Sequence, residues 1–518
     1  MKTKYFFLAA TIIALPAAAQ ETYENAKIVN DDLNGTARYV GMGGATDALG
    51  ADISTISTNP AGIGLFRHSK ADISFGMVTQ QDAAEYPNGD ATYASFDQVG
   101  MVWTKQTNDN SFLNVAFNYH KRKNLDFILS ADGALNGASQ NKLSYMKHYN
   151  DMLYQSNFDG TVNFDRPYIT CNQLDDIYAR NLFYAAGDGN AYYYDATGYD
   201  FDRAHKGYIG EYDFNVSGNI DDRVYLGLTI GLHDVHYRHV SDYTEQMVAN
   251  PEEINTLNVY DERKISGSGV DVKLGIIVRP IEYSPLLIGA SVTTPTWYDL
   301  TTRNYTEVSD GNYTAYNQEE YDFKLYSPWK FGASVGYTFG NKVALGASYE
   351  FADYGHTDTR VIDGGTYEFY DYYESSSSDR EMNKHTKRTL KGVSTFKVGA
   401  EFKPIPEMAI RAGYNYVSSM YDKAGFKDGT IASYGSYYAT STDFTNWKDT
   451  NRITFGLGWK LGSNTNLDLA YQYSASKGDF YPFMGYVDKA YSDFDINVNS
   501  VEVNNKRHQV ICTLGYTF

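Results

Sequence analysis

The feature that most constrains the fold of this chain is a strict alternation of apolar residues with small or polar ones. In the segment 452–461, every second residue from Ile453 to Leu461 is apolar, and the residues between are Thr, Gly, Gly and Lys. The segments 224–232 and 329–339 follow the same pattern. A period of two residues indicates a β-strand with one apolar face. A chain with many such segments is expected to be all-β.

The strands of a soluble β-sandwich and those of a membrane barrel both alternate in this way. The two architectures are distinguished by the residues on the other face of each strand. That face is rich in Gly, Ser and Thr, as in a crowded barrel lumen, and aromatic residues gather near strand ends, as at membrane interfaces. The mean hydropathy of −0.46 is compatible with a barrel, because only alternate residues of each strand face lipid. We therefore predict a transmembrane antiparallel β-barrel.

Tight turns and long polar segments alternate along the chain, as they do in bacterial outer-membrane barrels. The largest predicted extracellular loop is 122–205, and other long loops are predicted at 238–264, 299–320 and 355–390. This arrangement predicts about fourteen strands, an even number as expected for such barrels. The predicted strands are 69–81, 93–106, 110–121, 206–219, 222–237, 265–279, 286–298, 321–339, 342–354, 391–404, 407–419, 448–461, 466–477 and 504–518.

The first nineteen residues have the pattern of a secretory signal peptide. Lys2 and Lys4 precede an apolar run, Tyr5–Leu15, that is shorter than the ~20 residues of a membrane helix. The small residues Ala17–Ala19 then form a cleavage site. We expect residues 1–19 to be removed and the mature chain to work outside the cytoplasm.

The segment 20–68 lies between this signal and the predicted barrel, 69–518, and it has no strand or helix period. It is rich in glycine, and Pro60 biases Asn59 away from helical backbone. Irregular backbone is tolerated at membrane depth where protein surrounds it, as inside a barrel. We predict a hatch that closes the lumen, either as a static plug or as one that shifts on ligand binding. Its motif residues are Gly41, Gly43, Gly44, Asn59, Pro60 and Ala61.

The order of these motifs resembles the FadL-type long-chain fatty acid transporters. The GMGGA run at 41–45 and the NPAG run at 59–62 are similar to the hatch of that family, and GASVTTPTWYD at 289–299 is similar to one of its strand segments. The resemblance implies an outer-membrane barrel of fourteen strands with an N-terminal hatch and hydrophobic ligands. The long insert 122–205 departs from the family.

The last predicted strand ends on Phe518, which shares a face with Val510, Cys512, Leu514 and Tyr516. A terminal aromatic residue resembles the signal by which outer-membrane barrels are assembled. We therefore expect Phe518 to be an assembly signal, with the barrel assembly machinery as a partner and the outer-membrane lipid as the surrounding phase.

Seven cations are predicted to point into the lumen because they alternate with lipid-facing residues: Lys273, Arg279, Lys330, Lys397, Arg411, Arg452 and Lys460. A cation in a partly dry pocket attracts a carboxylate strongly, because ion pairs strengthen where water is scarce. Pairing with lumen acids such as Asp271, Glu401 and Asp468 is the alternative. The candidate head-group residues are Lys330, Arg411, Arg452 and Lys460.

Other functions find little support in the sequence. The net charge of −19 argues against nucleic acid as a partner. On one strand, His233 and His239 share a face and His236 points the other way, so one metal ion is not expected to bind all three. No catalytic grouping stands out, and the two cysteines do not support a disulfide framework. We expect no enzyme activity, metal or cofactor.

The sequence thus predicts a bacterial outer-membrane protein that passively transports hydrophobic molecules, foremost long-chain fatty acids. Three alternatives stay open: a general diffusion porin, a surface binding or adhesion protein that acts through its Tyr-rich loops, and haem uptake.

Overall fold

A computed structural model describes residues 21–140, 142–143, 184–185, 191–192, 194–250, 253–309, 314–368, 371–428, 431, 443–487 and 495–518. The strands are β1 (Lys70–Gln80), β2 (Thr92–Asn108), β3 (Ser111–Asn124), β4 (Phe127–Ala134), β5 (Tyr184–Ala185), β6 (Ala191–Tyr192), β7 (Asp195–Ile220), β8 (Val224–Asn250), β9 (Glu253–Val278), β10 (Leu287–Thr293), β11 (Trp297–Ser309), β12 (Thr314–Tyr326), β13 (Lys330–Phe339), β14 (Val343–Asp353), β15 (Asp358–Glu368), β16 (Asp371–Ser378), β17 (Gly392–Ile405), β18 (Met408–Val417), β19 (Phe444–Lys460), β20 (Thr465–Tyr481) and β21 (Val501–Thr517).

The helices are α1 (Thr22–Val29), α2 (Ala37–Gly41) and α3 (Arg380–Thr389), with 3-10 turns at Ile53–Ser57, Pro60–Leu65 and Tyr354–His356. Within the described part of the chain, no helix has the length and apolar character needed to cross a membrane.

Fourteen antiparallel strands form one closed ring. In order around the ring they are β1, β2, β3, β7, β8, β9, β10, β13, β14, β17, β18, β19, β20 and β21. The pairing of β1 with β21 closes the ring, with Lys70 opposite Thr517 and Gln80 opposite Arg507. The predicted fold class and strand number are confirmed.

The outer surface of the ring carries an apolar belt. On β8, Leu226, Leu228, Ile230 and Leu232 are 42–47% exposed, and they alternate with residues that face the lumen. Large apolar side chains in this number are stable only against lipid. The chain is therefore an outer-membrane barrel, as predicted. The residues that alternate with this belt point into the lumen.

Short turns join neighbouring strands at one end of the barrel. Between β7 and β8 the two central residues are Asp221 and Asp222, with φ values of 52° and 53°. Positive φ at both positions is the geometry of a type I′ hairpin turn, whose twist matches that of the strands. In bacterial outer-membrane barrels, the short turns lie on the periplasmic side.

Several segments predicted as long loops are strands instead. β8 continues to Asn250 and β9 starts at Glu253, and β11 and β12 occupy most of 299–320. The first and last described parts of the 122–205 insert are also strand, namely β4 and the start of β7. The remainder of that insert is largely outside the described residues, and so is Cys171.

The error has a physical reason. Above the membrane, both faces of a strand contact protein or water, so the apolar belt disappears while the pairing continues. On β7, Tyr199 and Phe201 are buried, and Asp200 and Asp202 lie on the other face. This alternation has a period of two as well, but its polar content suggested a loop.

Two predicted strands are broken at prolines. The segment 286–298 is interrupted at 294–296, around Pro295, and 321–339 is interrupted at 327–329, around Pro328. Proline has no N–H for the ladder and therefore ends or displaces a strand. The next strand, β14, ends at the 3-10 turn Tyr354–His356, so three neighbouring strands break at one level. Above this level, β11, β12, β15 and β16 continue as a sheet beside β9.

Candidate functional site in the barrel lumen

Residues 21–66, which we call the N-terminal segment, pack against the inner face of the wall. Helix α2 contacts β18, β19, β20 and β21, and the turn Pro60–Leu65 contacts β3, β7, β8 and β9 on the opposite side. Ala37, Val40, Ile53, Ile56 and Ile63 of this segment are fully buried. The segment therefore crosses the lumen from one wall to the other.

Two of the three predicted glycines, Gly41 and Gly43, lie where the segment's backbone meets the wall, whereas Gly44 packs against Leu33 and Tyr39 of the segment itself. A Cβ at Gly41 would be 3.0 Å from the Cα of Gly456, and a Cβ at Gly43 would be 2.8 Å from the backbone nitrogen of Tyr414. Gly43 and Gly44 also have φ values of 65° and 79°, which favour glycine. A larger residue at Gly43 would therefore meet both a clash and backbone strain.

Asn59, Pro60 and Ala61 are placed on the other side of the lumen. The Asn59 side chain caps the turn by accepting a hydrogen bond from the Ala61 nitrogen at 3.3 Å. The Ser217 hydroxyl of β7 donates to the Pro60 carbonyl at 2.9 Å. Gly227 of β8 leaves room for this contact, since a Cβ there would be 2.3 Å from the Pro60 carbonyl carbon.

Helix α1 reaches the extracellular end of the lumen. The Thr22 hydroxyl is 2.8 Å from Nδ1 of His385 in α3, and the Tyr23 hydroxyl donates to Oδ1 of Asn446 at 2.7 Å. Tyr23 also stacks on Tyr421, with ring centroids 5.3 Å apart. The N-terminal segment thus extends through the whole barrel.

Two aspartates on the linker between α1 and α2 meet cations of the wall. Asp31 is ion-paired with Arg122 of β3 and Lys330 of β13. Burial raises the pKa of Asp31, but these two cations outweigh it and hold the pKa well below its ordinary value. Asp32 lies 3.5 Å from Arg452 of β19 and 3.9 Å from Arg507 of β21.

Two adjoining cavities lie between this linker, α1 and the wall. The larger has a volume of about 290 Å³ and the smaller about 130 Å³. Lys123, Tyr421, Trp447 and Arg507 line both, so we treat the two as one chamber. Its smaller part is strongly aromatic, with Phe127, Trp447, Tyr237, Tyr421 and Phe444. Its larger part contains most of the charged groups.

The four predicted head-group cations do not share one site. Arg452 lines the chamber, and its Nη1 donates to Oδ1 of Asn415 at 2.9 Å. Lys330 lines an adjoining cavity of about 70 Å³, which shares Asp31, Asp32 and Glu350 with the chamber.

The other two candidates, Arg411 and Lys460, line a cavity of about 810 Å³ at the periplasmic end. Arg411 is paired with Glu401 at 2.7 Å and Asp468 at 2.6 Å, which is the alternative that the sequence left open. Lys460 is exposed, because it lies at the end of β19.

Two chamber cations, Lys123 and Arg507, were not among the predicted residues. A register shift between Lys121 and Lys123 turns both Arg122 and Lys123 inward, and strict alternation hides such a bulge. Arg507 alternates with the lipid-facing Val510 and Leu514 of the last strand, so the parity of that strand contained the signal. Among the described residues, the Lys123 ammonium has no hydrogen-bond or ion-pair partner.

The histidines lie as their alternation predicts, with His233 and His239 buried and His236 on the other face. Glu211 comes close to His120 and Asp213, and also to His233 and Asp271, in groupings that suit a metal ion. The ammonium of Lys273 donates to Asp271 at 2.7 Å and to Asp213 at 3.1 Å, and it also contacts Glu211. Because a cation of the protein already occupies this centre, we assign no metal to it.

No protein-family model matches the chain, and no curated protein sequence matches it. Among solved structures, a FadL homologue of Pseudomonas aeruginosa is 12% identical, with a TM-score of 0.51, and the match covers 94% of this chain and 99% of that one. The CymD monoaromatic hydrocarbon channel is 10% identical, with a TM-score of 0.50 and the same coverage.

At this level of identity the comparison concerns the fold. The match extends over nearly the full length of both chains. The chain has the fold of the FadL-type outer-membrane barrels, the family that its motifs resemble.

Proposed function

We propose that this barrel passively transports hydrophobic molecules with an anionic head group across the outer membrane, namely long-chain fatty acids. The observation that carries the proposal is the chamber beside the N-terminal segment: aromatic side chains gather in its smaller part, and cations outnumber acids in both parts. A fatty acid, which joins an apolar tail to a carboxylate, suits both features. The N-terminal segment would serve as the hatch.

The charge of the chamber favours an anion. Six cations line its larger part, Lys27, Lys123, Lys397, Lys448, Arg452 and Arg507, against three acids, Asp31, Asp32 and Glu350. Opposite charges attract more strongly in a partly buried site than in water. A carboxylate would therefore bind at Arg452, Arg507 and Lys123, and the tail would lie on the aromatic side chains.

The two similar structures differ in what their names suggest as cargo. One is a FadL homologue and the other is a monoaromatic hydrocarbon channel. A neutral hydrocarbon gains nothing from an excess of cations, so the chamber supports the amphiphile. Two exits are open to it after the hatch moves: the broken strands at Pro295 and Pro328, or the periplasmic cavity of about 810 Å³.

The first test combines lipid mass spectrometry of the protein purified in mild detergent with planar-bilayer conductance of the same sample. Co-purified fatty acids with little conductance are the expected result. A lipid-free protein with large, steady conductance would contradict the proposal and identify a general porin. A lipid-free and silent protein would favour the surface-binding alternative.

A second test uses matched variants of one arginine and one lysine, both of which the sequence predicted as head-group ligands. Arg452→Gln removes a charge inside the chamber, and Lys460→Gln removes one outside it. We expect Arg452→Gln to weaken oleate binding about tenfold, the ~1.4 kcal/mol of one weak buried ion pair. Lys460→Gln should bind oleate as the natural chain does, and oleyl alcohol should bind both variants equally.

We also infer how the protein is delivered. Residues 1–19 would be cleaved on export, and Phe518 would be read by the barrel assembly machinery. The Phe518 ring is 61% exposed on the lipid side, and its backbone nitrogen donates to the Ser69 carbonyl at 2.9 Å.

A further inference from the structure

We propose that Asp32 is an internal competitor for the ligand carboxylate and thereby sets which ligands release the hatch. This inference rests on the proposed function. In the structure, the Asp32 carboxylate stands between Arg452 and Arg507, the two arginines that line the larger part of the chamber. A fatty acid that binds these arginines must displace Asp32 from them.

The two arginines hold the Asp32 carboxylate loosely. Its distances of 3.5 Å to Arg452 and 3.9 Å to Arg507 exceed those of ordinary charge-assisted hydrogen bonds, about 2.7–2.9 Å. Nε of Arg507 is buried and has no hydrogen-bond partner among the described residues. Arg411, by comparison, has carboxylates at 2.7 and 2.6 Å. Arg452 and Arg507 therefore retain capacity for a better-placed carboxylate.

The neighbouring Asp31 is held differently. Its two oxygens are paired with Arg122 and Lys330, neither of which lines the larger cavity. The linker thus has one firmly anchored carboxylate and one exchangeable carboxylate in adjacent positions. A ligand at the arginines would release Asp32 while Asp31 still holds the chain to β3 and β13.

Displacement of Asp32 would loosen the linker itself. The Asp32 side chain accepts a hydrogen bond from the Asn124 backbone nitrogen at 3.1 Å, and the Asp32 nitrogen donates to the Arg122 carbonyl at 3.2 Å. These bonds attach the linker to the end of β3. A neutral hydrophobe does not compete for arginine, so it would leave the attachment in place. Asp32 therefore gives the hatch a preference for anionic ligands.

The experiment compares Asp32→Asn with Asp31→Asn in the full-length protein, with oleate and oleyl alcohol as probes. Both variants lose one charge, keep the side-chain size and differ by one position. We expect Asp32→Asn to bind oleate about tenfold more tightly and oleyl alcohol unchanged. Asp31 also lines the larger cavity, but Arg122 and Lys330 neutralise its charge, so Asp31→Asn should tighten oleate binding by less than about threefold. Asp32→Glu, which keeps the charge, should resemble the natural chain.

Each result has a distinct meaning. Equal or weaker oleate binding by a folded Asp32→Asn variant would overturn the competitor role and leave the proposed function intact. Tightening of equal size in both variants would overturn it too, because the effect would then be general electrostatics. If the natural chain binds oleyl alcohol but no oleate, the proposed ligand class and the competitor role both fail. The difference in gel mobility between heated and unheated samples verifies that each variant forms a barrel.

Discussion

The contact between the N-terminal segment and the wall can be tested by adding a single methyl group. Gly346 lies on the inner face of β14, and a Cβ there would be 1.9 Å from the carbonyl oxygen of Ala45. Real Cβ contacts do not fall below 3.0 Å, so Gly346→Ala requires a displacement of about 1 Å. Because β14 is hydrogen-bonded on both sides, to β13 and β17, we expect the N-terminal segment to shift and β14 to keep its position in the wall.

The magnitude follows from the cost of overpacking, which is about 1–3 kcal/mol for an extra methyl group in a packed site. If this cost falls on the docked segment, the ratio of displaced to docked protein rises by about 5- to 150-fold. Gly413→Ala should act similarly two strands away in the ring, since a Cβ there would be 2.2 Å from the Gly43 nitrogen. Both substitutions press on one turn, in which the Ala45 nitrogen donates to the Met42 carbonyl at 3.1 Å, so their free energies should not be additive.

Planar-bilayer recording measures the effect as the fraction of time spent in a conducting state. Gly462→Ala is the control, because no atom lies within 4 Å of a Cβ at that position. It should behave as the natural chain, while Gly346→Ala should conduct more often. A folded Gly346→Ala barrel with unchanged conductance would refute the idea that the segment closes the lumen by close backbone packing.

Three further outcomes are expected. Leu228→Arg should destabilise the barrel by about 2–4 kcal/mol in urea refolding with lipid vesicles, because it places a charge in the apolar belt; a loss below 1 kcal/mol would move Leu228 out of the membrane. Deletion of Phe518 should lower the amount of assembled barrel in outer-membrane fractions, whereas Phe518→Tyr should restore it, and equal amounts for all three would dismiss the assembly signal. Acidification from about pH 7 to about pH 5 should not open the lumen through Asp31: a carboxylate with a lowered pKa stabilises the folded state above its ordinary value and loses that contribution only as the pH falls through the lowered one. A conductance that rises between these pH values only in the natural chain, and not in Asp31→Asn, would contradict this.

Much of the barrel was predictable because its strands obey a local rule. Residues such as Ile453 and Leu457 alternate with small lumen residues whatever the rest of the chain does, and lipid selects for this pattern at each strand separately. The segment that packs inside the barrel was found by contrast, since Gly41, Gly43 and the Asn59–Ala61 run lie in a stretch without any period. Its role as a hatch stays a prediction. The rule failed where its physical basis ends, above the membrane and at Pro295 and Pro328.

The chamber was not predictable in the same way. Alternation tells which residues face inward, but it does not tell at which height they lie or which of them face one another. The register of β18 and β19 places Arg411 opposite Gly456 and Asn415 opposite Arg452, which separates the two arginines, and a bulge at Lys121–Lys123 brings in a lysine that alternation hides. Asp31 and Asp32 occur in a linker whose sequence gives no sign of its partners.

The sequence alone therefore determined the class of fold, the number of strands, the face of each that meets lipid and the segment that lies inside. These properties depend on neighbours along the chain and on the surrounding solvent or lipid. Only the tertiary structure decided which charges meet in the lumen, because Arg452, Arg507, Lys123 and Asp32 come from four distant parts of the chain. Their meeting depends on how the ring closes and how the N-terminal segment is threaded through it, and no local pattern encodes either.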